Sequence, residues 1–213
     1  MSLRHALLAL LTAEPMTGYD LVKYFDGTIA NMWSAPHSQI YPELRRMEAD
    51  GLIDVRVVPR GERAQKREYA VNENGVAALR TWQQELADYQ PERDVYRLRS
   101  AHFELSTYDA ARRQLTEHRN HYMKLLTDTR QFVADIEARR VPLLQQRLKQ
   151  RPEGEHEAII AFKLFAFRGE ITKAEAEIAW AQEGLDLLDD LEQRGAPLFG
   201  EEPARDPWSL GPS

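Results

Sequence analysis

Apolar positions along this chain follow two periods, and the changes from one to the other locate its elements. Leu3, Ala6, Leu7, Leu10 and Leu11 recur at helical spacing behind Ser2, a suitable N-cap, and Glu14-Pro15 closes the run. A second helix is expected from Thr17 to about Phe25, with Leu21, Val22 and Phe25 inward. Thr17 and Asp20 stand three apart, as in a capping box, where the hydroxyl accepts from the amide near Asp20 and the carboxylate reaches back. A third helix carries Leu44 and Met47, continued by Leu52, on one face, with Gln39, Arg45, Arg46 and Asp50 largely elsewhere. It should stop at Gly51, because a residue without Cβ enters positive φ cheaply. Its start has two readings: Ser34 and Ser38 are both possible caps, Pro36 suiting the first and Pro42 the second.

Beyond Gly51 the period becomes two. Ile53, Val55 and Val57 alternate with Asp54, Arg56 and Val58, which predicts a strand over 52–58. After Pro59 and a polar turn from Arg60 to Gln65, the run 66–71 can pair back antiparallel. Asn72 then caps a fourth helix with Val76, Leu79, Trp82 and Leu86 as one stripe, ending before Gln90-Pro91. Three helices, a hairpin and a helix in this order predict a winged helix-turn-helix over residues 1–90.

From 91 to about 195 the pattern is that of long helices. Ile160, Leu164, Phe167, Ile171, Ala174, Ile178, Ala181, Leu185 and Leu188 alternate steps of four and three, a coiled-coil seam over four heptads. Before it, one helix from about Thr107 to Lys149 is expected, bent by Pro142, with Arg151-Pro152-Glu153-Gly154 as the turn between the two. Two long amphipathic helices offer more apolar surface than a small winged helix can cover, so a second copy is the simplest partner. The alternative is an intramolecular antiparallel pair that covers its own seam. The dimer reading assigns Ile160, Leu164, Phe167, Ile171, Ile178, Leu185 and Leu188 to the interface. The expected fold is therefore mainly α with a small β-hairpin: a winged helix at 1–90, a helical dimerisation domain at 91–195, and a Pro- and Gly-rich tail at 196–213.

Composition narrows the partners. The 28 basic and 34 acidic residues of the 213 give a net charge of −6, so a case for nucleic acid must rest on local charge. Arg56, Arg60, Arg63, Lys66 and Arg67 against Glu62 make the hairpin the most basic stretch. There is no cysteine, which excludes disulfides and thiolate chemistry. The N-terminal apolar run is too short for a signal peptide and nothing approaches the ~20 apolar residues of a membrane span. A soluble cytoplasmic protein is expected.

Leu3-Arg4-His5-Ala6-Leu7-Leu8, Thr17-Gly18-Tyr19-Asp20-Leu21, Trp33, Ser38-Gln39-Ile40-Tyr41-Pro42, Leu44, Glu48, Gly51-Leu52-Ile53, Tyr69, and Asn72 with Gly75 occur in the order and spacing of a known family. On them, residues 1 to about 90 resemble the winged-helix domain of PadR-type bacterial transcriptional regulators. The remainder to about Gly195 is similar, by helical pattern and length, to the C-terminal domain of the longer PadR subgroup, likened to that of virulence activators. One departure is Asn72-Glu73 where Thr-Glu would stand, and Asn caps a helix equally well. The resemblance implies a DNA-binding regulator, and a small aromatic or amphipathic effector, since several such regulators respond to phenolic or drug-like compounds.

The residue chemistry points the same way. Ser38, Gln39, Tyr41, Arg45 and Arg46 lie on the expected recognition helix, where Gln pairs bidentately with adenine and Ser or Tyr holds phosphate. Arg60, Arg63, Lys66 and Arg67 of the wing suit the phosphate backbone. The expected partners are double-stranded DNA with a palindromic operator, a second copy of the chain, and an effector lined by some of Phe103, Tyr108, Tyr122, Phe162, Phe165 and Phe167. The competing class is a winged-helix module whose basic wing meets an acidic protein. No enzyme, cofactor or metal is expected: His118-x-x-His121 lacks a third ligand at metal spacing and reads as solvent-facing. Glu170, Glu175, Glu177 and Glu183 read as a solvated helix face, and Trp33, Trp82 and Trp180 as core. No phosphate-binding Gly loop or G-x-S-x-G elbow occurs.

Overall fold

The computed structural model describes residues 3–26, 36–60, 64–87 and 93–198. Ser2, Trp33, Ser34, Glu62, Arg63 and the tail from 199 onward lie outside them. The chain forms two compact units, one of residues 1–89 with 132–166 and one of 90–131 with 167–213.

In the first unit, α1 (Leu3–Leu11), α2 (Gly18–Asp26) and α3 (His37–Ala49) precede β2 (Ile53–Arg60) and β3 (Ala64–Val71), and α4 (Glu73–Gln84) follows. A short strand β1 (Met16–Thr17) joins β3 to give an antiparallel sheet of order β1-β3-β2, with Ile53 opposite Val71 and Met16 opposite Tyr69. Two residues are too few to show a period, so β1 has no signature in the sequence. The wing strands run longer than their alternation suggested, because Pro59 sits opposite Gln65 within the ladder. Leu7, Leu8, Leu21, Ile40, Leu44 and Met47 are fully buried, and truncating any one to Ala would cost about 2–5 kcal/mol.

The local signals hold. Thr17 and Asp20 form the reciprocal box: the Asp20 amide donates to Thr17 Oγ1 at 3.2 Å and the Thr17 amide donates to Asp20 Oδ2 at 3.1 Å. Gly51 has φ +68°. Asn72 Oδ1 accepts from the Gly75 amide at 3.1 Å, while its Nδ2 donates to the Gly51 carbonyl at 3.0 Å, tying the start of α4 to the end of α3. Gly75 is required there, since a Cβ would lie 2.2 Å from the Leu52 carbonyl oxygen.

Three expectations are corrected. Ser38 does not cap α3, and Ser34 lies outside the described residues: the helix begins at His37 behind Pro36, which leads in without a side-chain cap, and Pro42 is inside the helix, leaving the Ser38 carbonyl without its i+4 donor. The fourth helix ends at Gln84, and Leu86 is 98% exposed instead of completing the stripe; Trp82 stacks on His5 at 4.7 Å. The long helix expected to bend at Pro142 is two helices, α6 (Tyr108–Glu137) and α7 (Pro142–Lys149), separated by Arg139 at φ +54°. Pro142 is the first residue of α7, where its missing N–H costs nothing. The grouping of 132–166 with the winged helix, instead of a division at 90, has a packing reason. Leu143 packs against the first core, and Arg147 Nη2 donates to the Ala9 carbonyl and to Thr12 Oγ1. Arg147 Nε is buried without a partner; burial, with a smaller contribution from the Arg147 charge, lowers the Lys163 ammonium to a pKa of about 8.

In the second unit, α5 (Val95–Ser100) and a 3-10 turn (Phe103–Leu105) lead into the first part of α6, which pairs antiparallel with the later part of α8 (His156–Gln193). Ala111 and Leu115 pack on Leu185 and Leu188, with Phe103, Tyr108 and Trp180 around them. This corrects part of the interface assignment: Leu185 and Leu188 are buried by the chain's own α6. A four-three alternation reports a covered stripe but not whose surface covers it. Ile160, Leu164, Phe167, Ile171 and Ile178 remain half-buried, and Phe162 and Phe165 are exposed. A second correction concerns polar residues. His118 is only 5% exposed and Glu177 only 7%, with His118 Nε2 3.1 Å from Glu177 Oε2, so neither belongs to a solvated face.

Candidate nucleic-acid interface

The first turn of α2, the exposed side of α3 and β3 enclose a cleft of about 640 Å³. Thr17, Gly18, Tyr19 and Asp20 form one wall, Tyr41 and Arg45 the next, and Lys66, Arg67 and Tyr69 the third. The capping box fixes the first wall, and the antiparallel β1-β3 pairing brings Thr17 opposite Glu68, beside the cationic residues of β3. Gly18 matters for shape: a Cβ there would stand 2.4 Å from Tyr41 Cε1, so the tyrosine ring lies directly on the glycine backbone. Tyr19 and Tyr41 are 71% and 46% exposed, two amphipathic side chains held open to solvent on one rim.

The cations divide into two groups. Arg45 and Lys66 are exposed and have no hydrogen bond or ion pair among the described residues. Arg67 is engaged: its Nη2 donates to both carboxylate oxygens of Glu48 at 2.7 and 2.6 Å, and its guanidinium lies 5.7 Å from the Tyr69 ring centroid. Arg46 donates to Glu43 at 2.9 Å, and Arg56 to Glu68. Burial pushes the Tyr69 phenol above its usual range, so it remains a donor at neutral pH.

Of the residues expected to meet DNA, the structure therefore brings Tyr41, Arg45, Lys66 and Arg67 to one cleft. Ser38 and Gln39 are exposed on the first turn of α3 and do not line it. Arg46 is turned to its own helix by Glu43; Arg63 and the side chain of Arg60 lie outside the described residues. Sequence reading missed Tyr19 and Gly18. Their signal was available, because a capping box fixes which residues of the next turn face outward. Among the described residues no cluster of three or more His, Asp or Glu side chains could hold a metal, and no helix is long and apolar enough to cross a membrane.

Residues 7–81 match the model of the transcriptional regulator PadR-like family. The negative transcriptional regulator PadR of Bacillus subtilis is 37% identical over 89 residues, 42% of this chain and 47% of that one, so the chain spans less than half the length of this curated relative. Among solved structures, Bacillus subtilis PadR in complex with operator DNA has a TM-score of 0.69 at 22% identity, covering 88% of this chain and 99% of that one. The same protein in complex with p-coumaric acid gives 0.55 at 22% identity, covering 88% and 98%. The Vibrio cholerae virulence activator AphA gives 0.62 at 26% identity, covering 89% and 99%. These likenesses extend to the winged helix and the long C-terminal helices together. Residues 7–81 thus carry a domain of the transcriptional regulator PadR-like family.

Proposed function

We propose that this chain is a sequence-specific DNA-binding transcriptional regulator, acting as a homodimeric, ligand-responsive repressor in the cytoplasm. The observation that carries the reading is the cleft of the first unit, where two exposed tyrosines and the uncommitted cations Arg45 and Lys66 surround the exposed side of α3. Phosphates there would be held by Tyr19, Tyr41 and Lys66, with Arg60 and Arg63 adding wing contacts. Gln39 and Ser38, one turn toward the helix start, would reach base edges. That Bacillus subtilis PadR is known with operator DNA supports the partner, and its complex with p-coumaric acid supports a small aromatic effector.

The homodimer would use the half-buried Ile160, Leu164, Phe167, Ile171 and Ile178, together with exposed Phe162 and Phe165. A palindromic operator follows from two-fold symmetry, with half-sites one helical turn or a multiple apart, ~34–36 Å. Selection of bound sequences from a random DNA pool tests the reading, with a palindromic consensus expected. On the selected site Gln39→Ala should cost ~1–3 kcal/mol and little on random DNA. Equal losses on both DNAs remove Gln39 from base recognition, and no enrichment at all leaves the protein-interaction class in its place.

A further inference from the structure

Of the two arginines of α3, Arg45 borders the cleft and Arg46 does not, yet Arg46 is the one the fold ties down. Glu43, one turn before it, is only 9% exposed and has both carboxylate oxygens occupied by arginines. Arg4 of α1 donates through Nε to Oε1 at 2.8 Å, and Arg46 donates through Nη1 to Oε2 at 2.9 Å. Arg4 Nη1 also pairs with Asp50 at 2.8 Å, just past the end of α3. One buried carboxylate thus links α1 to a guanidinium on the outer side of α3. The Arg46 side chain keeps 67% of its surface exposed, with Nε and Nη2 uncommitted among the described residues.

Helical spacing gives the outer side of α3 two edges. Gln39 and Arg46 are two turns apart, about 20° from each other around the axis and about 10 Å along it, so they share one edge. Tyr41 and Arg45, one turn apart, form the other, toward Lys66. Charge divides the edges in the same way. Arg4, Glu43, Arg46 and Asp50 sum to zero, which offers a phosphate little, whereas Arg45 and Lys66 have no acid beside them. A phosphate needs only a positive charge, which a mobile side chain supplies; a base edge needs a planar fork held in one orientation. Glu43 fixes the plane through Nη1, and the Nε and Nη2 left over form the fork that matches guanine N7 and O6.

We infer that Arg46 reads a guanine in each half-site and that Glu43, anchored by Arg4, is the positioning residue that aims it. The inference rests on the DNA-binding reading above and adds a specificity-determining pair to it. The test is selection from the random DNA pool, with the full chain and with Arg46→Lys, Arg46→Ala, Glu43→Gln and Arg4→Gln, beside the unfolding temperature of each. The parent should enrich a guanine about three base pairs from the position that Gln39→Ala loses, the 10 Å between the two side chains at 3.4 Å per step. Both substitutions of Arg46, an exposed residue, should lower that preference at least about fivefold and leave the position read by Gln39 intact. Arg46→Lys keeps the charge and loses the fork, so its salt slope should match the parent's. Glu43→Gln and Arg4→Gln should weaken the same guanine, and no other base, by at least about threefold. A guanine preference kept in Arg46→Lys makes Arg46 a phosphate contact and overturns base reading. A preference unchanged in both Glu43→Gln and Arg4→Gln, or weakened equally at every position, makes the carboxylate structural and overturns its positioning role; Arg4→Gln alone decides if Glu43→Gln does not fold. No consensus with the parent chain removes the DNA-binding reading and this inference with it, whereas a consensus untouched by substitution at 46 removes this inference alone.

Discussion

Lys66 and Arg67 are neighbours on β3, yet their surroundings predict different roles on DNA. Lys66 is exposed and uncommitted, so a phosphate it meets releases a counterion; Arg67 already holds Glu48 through two short bonds. Log affinity falls with log salt by about 0.9 for each phosphate neutralised, so between 50 and 200 mM, roughly a fourfold rise, one contact is worth about 3.5-fold and the two of a dimer about 12-fold. Lys66→Gln should therefore lower the slope by about 1.8 per dimer. The informative comparison is the pair Glu48→Gln with Arg67→Gln, which removes both charges and keeps the net charge. Both side chains are partly exposed, so the pair contributes at most about 1 kcal/mol to stability and the variant should fold. If Arg67 braces the wing against α3, this variant binds more weakly at every salt concentration with its slope within about 0.3 of the parent. Fluorescence anisotropy across a salt series reads both quantities. A slope reduced as much as in Lys66→Gln would show that DNA takes Arg67 away from Glu48, and the bracing role would be wrong.

The other predictions concern packing and protonation. Gly18→Ala meets only the edge of an exposed tyrosine ring, so unfolding should shift by less than about 1 kcal/mol while operator binding drops as Tyr41 is displaced; Gly75→Ala meets the Leu52 carbonyl and should cost more than about 2 kcal/mol, and chemical denaturation separates the two. Lys163 has a folded pKa of about 8 against 10.5 in the unfolded chain, so its burial penalty is full below pH 8, shrinks as pH rises, and is gone above 10.5. Lys163→Met should accordingly stabilise by at most about 3 kcal/mol at pH 7 and by nothing near pH 10.5, and a gain independent of pH would show that the ammonium carries no penalty. Phe162→Ser with Phe165→Ser should shift light-scattering mass toward the monomer, and an unchanged mass would free that face from the dimer.

What the sequence made legible was local. Thr17 with Asp20, Gly51, and Asn72 with Gly75 each settle a question of backbone geometry within three residues, and each can be read without knowing the fold. The cleft was legible in part, since Tyr41, Arg45 and the wing cations lie on elements whose type and order were clear. Pairings across long separations were not. Glu48 and Arg67 are 19 residues apart, and His118 and Glu177 are 59 apart; a helical period says that each residue faces some way, but not that another charge waits there. The same limit hid the intramolecular cover of Leu185 and Leu188. Pro142 was misplaced for a different reason: a proline that could bend a helix can also start one, and only the turn at Arg139 decides between them.

The cap on α4 also bears on how the molecule ages. Asn74-Gly75 is the dipeptide in which, along a loose chain, the glycine amide nitrogen attacks the asparagine side-chain carbonyl, ammonia departs, and hydrolysis of the ring leaves aspartate or isoaspartate. Here that nitrogen donates to Asn72 Oδ1 at 3.1 Å, the Asn74 amide group donates to the Gly51 carbonyl at 3.3 Å, and the Leu52 carbonyl leaves Gly75 no room to turn. Nucleophile and target are thus held apart for as long as the wing stays docked on the helix. Every opening of that corner starts the clock, so a stored preparation would accumulate negative charge at the base of the wing in proportion to the time it spends locally unfolded.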